Sequence, residues 1–158
     1  MKKLINIPFG SPMISKKDKE QVLDVLNGHM LTHGPKCEEF ESKFADYIGV
    51  KHAITTSNCT TAIHLGLVAN EIKAGDEVIV PAMTHVATAH AVEHCGAKPI
   101  FVDVDIETGC INPELIEAKI TKKTKAIIVV HFVGLPCDME KILVIASKFN
   151  LRVIEDSA

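Results

Sequence analysis

Ala126-Ile127-Ile128-Val129-Val130 is an unbroken apolar run dominated by β-branched side chains. Branching at Cβ suits a pleated strand, and the lack of alternation means that both faces must be covered. A strand over residues 125–132 of this kind belongs to a parallel sheet with helices above and below it. The flanks agree. Upstream, Asn112 reads as the cap of a helix with Pro113 at its first position and Glu114 in its first turn. Before it, Pro99–Val104 reads as a strand, with Pro at the position where it is tolerated. Toward the N-terminus come a helix over residues 84–95, a short strand over 77–80 closed by Pro81, a helix from Cys59 to near Glu71, and a first strand over Ala53–Ser57. Downstream, Asp138 caps a helix ending near Phe149, and Arg152–Glu155 is the last strand. Alternation of this length implies right-handed βαβ units. The expected fold class is therefore α/β, an open three-layer α/β/α sandwich with a mostly parallel sheet.

Two helices precede the alternation. Ser15 and Asp18 form a capping-box-like start to one that runs to about Asn27, with Val22 and Leu26 on one face and Gly28 as its stop. Gly34-Pro35 opens the other, in which Cys37, Phe40, Phe44, Tyr47 and Ile48 recur at helical spacing before Gly49. Residues 1–14 read as an irregular arm and residues 15–158 as one partial domain. The chain closes on Val153-Ile154-Glu155-Asp156-Ser157-Ala158, a strand followed at once by acids and by no covering helix. It reads as a sheet left incomplete at its C-terminus, interrupted inside an active site.

Composition removes several function classes. The net charge is −3 and the pI about 6.2, against the basic face that nucleic acid or an anionic membrane requires. One Tyr and no Trp leave a stacking platform for single strands poorly supplied. Ile5-Asn6-Ile7-Pro8-Phe9-Gly10 is no export signal core, and no apolar run reaches membrane-spanning length. A cytoplasmic protein is expected. Its five widely spaced cysteines then read as reduced thiols rather than a disulfide framework.

Four constellations could carry chemistry. Ser57-Asn58-Cys59-Thr60-Thr61-Ala62 lies where a strand gives way to a helix, whose free amides and dipole favour an anion such as phosphate. Plain capping by Ser57 or Asn58 is an equal alternative, and neither a Walker A loop nor G-x-G-x-x-G is present. Asp156 ends a central strand, where an acid is costly to bury unpaired. It can meet a cation, hold a metal, or cap a following helix, and capping is the simplest of these. His85, after the short strand, can stack on a flat ligand, move a proton, or be structural. His90 and His94 share a helix face, but no third ligand or H-E-x-x-H makes a zinc site, so no metal is expected. Cys59 at a helix start could be a nucleophilic thiolate, although no Cys-x5-Arg loop follows it and an inert thiol is the simpler reading. The acids Asp103, Asp105 and Glu107 read as turn and crevice-rim groups.

Taken in order, Gly34-Pro35-Lys36-Cys37-Glu38-Glu39-Phe40-Glu41, Tyr47–Ala53, Ser57–Leu67, Gly75–Pro81, Thr84–Ala89, Val102–Asp105 and Ile154–Ala158 resemble the DegT/DnrJ/StrS family of sugar-nucleotide aminotransferases. These are fold-type-I enzymes that use pyridoxal phosphate (PLP). The resemblance covers residues 32–158 and implies roles. Thr60 and Thr61 match positions that hold the PLP phosphate, helped by amides around Cys59 and Thr60. His85 matches a position that lies on the cofactor ring. Asp156 matches the acid that pairs with the pyridine nitrogen. The family's cofactor-linking lysine falls beyond Ala158, as do further strands and a C-terminal domain. The resemblance thus implies no catalytic residue in this chain, and no activity by the chain alone. For the parent protein it implies a homodimer that moves an amino group, with glutamate as donor, to a nucleotide-linked keto sugar in polysaccharide or deoxy-amino-sugar biosynthesis, lipopolysaccharide included. The alternatives are a PLP-dependent sugar dehydratase, in which His replaces the lysine, and a non-catalytic regulatory module with the same fold.

Overall fold

The computed structural model describes residues 10–158. The first nine residues of the expected arm lie outside the described residues. The chain divides after Thr55 into two compact units.

The first unit carries two helices, α1 (Lys16–Leu26) and α2 (Pro35–Ile48). At the start of α1, Ser15 Oγ accepts from the Asp18 amide at 3.2 Å, and Asp18 Oδ2 accepts from the Ser15 amide at 2.7 Å. This reciprocal pair satisfies two of the donors that a helix start leaves open. Pro35 begins α2, and Gly49 ends it at φ 78°, a left-handed conformation that an L side chain resists. Val22 and Leu26 are both exposed, and α1 buries no side chain.

The second unit is built on four parallel strands, β1 (Glu77–Pro81), β2 (Lys98–Val102), β3 (Thr124–Val130) and β4 (Arg152–Asp156), in the order β2-β1-β3-β4. Helices α3 (Cys59–Ala69), α4 (Val86–His94) and α5 (Met139–Phe149) accompany them. The alternation along β1 and β3 assigns the two faces of the sheet. Val78, Val80, Ala126 and Ile128 pack with Ile63 and Leu67 of α3 and Ala91 and Val92 of α4. Ile79, Ile127 and Val129 pack with Ile142, Ile145 and Ala146 of α5. Both faces are therefore covered, as the run at residues 126–130 requires. Each fully buried Ile or Val contributes about 1.5–3 kcal/mol relative to exposure.

Two expectations fail. Ala53–Ser57 forms no strand. The Thr55 amide, which a ladder would use, donates instead to Glu41 Oε1 at 2.7 Å, and the Thr55 hydroxyl donates to the same oxygen. The helix expected after Asn112 is two separate 3₁₀ turns, Pro113–Leu115 and Glu117–Lys119. Of their apolar neighbours only Ile116 is fully buried, while Leu115 is exposed, so no continuous apolar stripe sustains an α-helix.

The topology also locates a crevice. From β1 the chain moves to β2 on one side, and from β3 it moves to β4 on the other. The order reverses between β1 and β3, and ligands of open α/β sheets bind beyond the carboxyl ends of the strands at such a point.

Candidate functional site

Asp156 is the last residue of β4, paired in register with Val130 of β3. It is only 6% exposed. Its Oδ1 accepts from the Cys59 thiol at 3.5 Å and from the Ala158 amide at 3.2 Å. Its Oδ2 accepts from the Thr88 hydroxyl at 3.1 Å. Thr88 is fully buried and lies 3.0 Å from the Thr84 hydroxyl. Since Thr88 donates its proton to Asp156, Thr84 donates to Thr88. Every one of these donors is neutral. Among the described residues no Lys, Arg or His is paired with Asp156. The Ala158 contact is a local capping interaction, and the other two come from α3 and α4.

The start of α3 lies against the same carboxylate, because Cys59 is its first residue. Asn58 is the cap. Its Oδ1 accepts from the Thr61 amide at 2.9 Å and from the Thr61 hydroxyl at 3.1 Å. Ala62 closes the first helical bond to the Asn58 carbonyl at 3.1 Å. Among the described residues, the amides of Cys59 and Thr60 and the Thr60 hydroxyl have no acceptor. Capping and three free donors thus coexist here. Asn58, Thr60, Thr61, His64 and His94 line an open pocket at this helix end.

His85 caps α4. Its Nδ1 accepts from the Ala87 amide at 3.2 Å, which fixes the ring's orientation and leaves the proton of the neutral form on Nε2. The ring is exposed, three residues before Thr88. His90 and His94 lie on α4, and the His94 ring centroid is 5.6 Å from that of His64 on α3.

The structure argues against a thiolate at Cys59. Loss of water around the sulfur, then the neighbouring Asp156 charge and its hydrogen bond, push this thiol up from the usual cysteine range. Cys59 is nonetheless an exposed residue, with its Sγ turned toward the carboxylate. Cys137, in the core with Cys110, is pushed up to about 12 by burial and by that second thiol.

The sequence reading missed Thr84 and Thr88 as site residues. Their i, i+4 spacing around the His85 cap is the signal that places both on one side of the α4 start. It also missed His131, which follows β3 as Asp156 ends β4. The His131 Nδ1 accepts from the Cys137 amide at 3.1 Å, so its Nε2 donates to Glu155 Oε2 at 2.9 Å. Its own amide donates to the Asp156 carbonyl at 3.0 Å.

The model of the DegT/DnrJ/EryC1/StrS aminotransferase family matches residues 12–158. The chain belongs to that family. Among family relatives, the GDP-perosamine synthase of Caulobacter vibrioides is 46% identical over 159 residues, covering 100% of this chain and 43% of the relative. An aminotransferase of Psychrobacter cryohalolentis superposes with a TM-score of 0.86 at 42% identity, over 94% of this chain and 38% of that one. The GDP-4-keto-6-deoxy-D-mannose-3-dehydratase of Escherichia coli, solved with bound hydrated PLP, superposes with a TM-score of 0.89 at 31% identity, over 99% of this chain and 42% of that one. The chain spans about two fifths of the length of the curated relatives it matches. The family members share its fold, a parallel α/β sheet with both faces covered.

Proposed function

We propose that this chain forms the cofactor-holding part of a PLP-dependent aminotransferase. The substrate class is a nucleotide-linked keto sugar, and the amino donor is glutamate. The observation that carries the reading is the buried Asp156 carboxylate, which among the described residues accepts only neutral hydrogen bonds at the mouth of the sheet. A buried anion without a cation is unfavourable, and a protonated pyridine nitrogen supplies the missing charge. The donors at the other end of the site fit a phosphate. The amides of Cys59 and Thr60 and the Thr60 hydroxyl are free to donate. Thr61 already donates twice to Asn58, so it serves the phosphate only by turning its hydroxyl. His85 presents an exposed imidazole for ring stacking. When bound, PLP supplies an electron sink for negative charge developing on a substrate carbon. Asp156 keeps the ring proton in place, and the α3 amides hold the phosphate against rotation. A homodimer in the cytoplasm is the assembly and setting that go with this reading.

PLP retention by purified chain, followed by visible absorbance through gel filtration, tests it. Asp156→Asn is expected to lose most of the retained cofactor while its thermal melt stays close to wild type. Equal retention by wild type and variant would defeat the assignment. The likeness to the Escherichia coli dehydratase supports a second reading, loss of water from the sugar instead of amine transfer. Incubating the full-length protein with a nucleotide-linked keto sugar and glutamate separates the two, since only the transferase yields 2-oxoglutarate in step with amino sugar.

A further inference from the structure

The geometry points to Thr88 as the positioning residue that aims the free lone pair of Asp156 at the ligand. The inference rests on the PLP reading and deepens it. A carboxylate offers about four lone-pair sites. Cys59 and Ala158 occupy two on Oδ1, and Thr88 occupies one on Oδ2. Oδ2 is therefore the oxygen with capacity left for a ring N–H, and Thr88 is its sole protein donor among the described residues.

The side chain's own choices support this. From the first turn of α4, the Thr88 hydroxyl could bond back to the carbonyl of Thr84 or His85. The Thr88 hydroxyl donates instead to a residue 68 positions away, and its lone pair is taken by Thr84. The Thr84 proton points into Thr88, so the donor direction along the chain Thr84 to Thr88 to Asp156 is fixed. Thr88 is 0% exposed, so no water competes for the contact. Without the hydroxyl, Oδ2 loses its one protein donor among the described residues, and the ring nitrogen loses an aligned acceptor.

The test uses ¹⁵N-pyridine-labelled PLP bound to the chain, with the ring-nitrogen chemical shift as the readout of its protonation and fluorescence titration for affinity. Thr88→Val, which keeps the shape and removes the hydroxyl, is expected to move the shift toward the unprotonated value. It is also expected to weaken PLP binding about tenfold, the order expected for one hydrogen bond to a charged group. Thr88→Ser restores both. If Thr88→Val keeps the wild-type shift, even with a lower melting temperature or affinity, the role is structural and the proposal falls. Should Thr88→Val not fold, Thr88→Ser decides alone, since a displaced shift with the hydroxyl present overturns the proposal. Asp156→Asn is the reference. A wild-type shift there would overturn the PLP reading itself, and this inference with it.

Discussion

The middle of the sheet and its carboxyl rim are made from the same strands and follow opposite rules. In β3, Ala126 to Val129 are fully buried among apolar neighbours on two faces. One residue beyond the strand, His131 holds Glu155 and the Cys137 amide, and across from Val130 stands Asp156. The interior is specified by area removed from water, which is tolerant of detail. The rim is specified by the direction of individual hydrogen bonds. Mutations should therefore separate the two regions, with stability lost at the centre and ligand binding lost at the edge.

The largest stability effect is expected at the centre. Ile127→Ala removes a buried side chain between β1 and α5 and should cost about 2–5 kcal/mol in urea unfolding. A change below 1 kcal/mol would mean that the sheet is not packed on both faces. A smaller effect is expected at the start of α3. Asn58→Ala removes the acceptor of the Thr61 amide and should cost about 1 kcal/mol, read as a lower thermal midpoint. Because it exposes a further amide donor, PLP affinity should fall far less than in Asp156→Asn. The smallest effect on the fold belongs to Cys59. Its raised pKa predicts slow alkylation by iodoacetamide at neutral pH, with the rate climbing only above the usual thiol range. Asp156→Asn removes the negative charge that opposes the thiolate, so the alkylation profile should move to lower pH. A profile that stays in place would leave Asp156 without influence on the thiol.

Much of the interior was legible from unbroken apolar runs and from helix caps. The runs at residues 77–80 and 126–130 announce buried strands, the run at 99–104 announces a strand that ends at Val102 and is only partly buried, and Ser15, Asp138 and the Ser57-Asn58 pair announce helix starts through their side-chain acceptors. Ala53–Ser57 misled because it has strand composition, while its Thr55 amide was taken by Glu41, fourteen residues earlier. No local pattern records such a contact. The segment after Asn112 misled for a related reason, since a good cap and Pro113 start a helix but cannot sustain one without an apolar stripe. At the rim the individual residues stood out by position, with Cys59, His85 and Asp156 each at the end or start of an element. That the Cys59 thiol and the Thr88 hydroxyl meet on one carboxylate was not legible, because it depends on how α3 and α4 cross the sheet.

Cys59 stands with its backbone amide at the open end of α3 and its sulfur against Asp156. Three covalent bonds separate the amide nitrogen from the sulfur. The offset between the helix start and the carboxylate is thus set by how α3 packs on the sheet and is spanned by one residue's skeleton and one contact. If α3 slides along the sheet, either that contact breaks or the carboxylate is carried with it. Cys59 thus ties the spacing between the free helix amides and the buried acid to the length of a single residue.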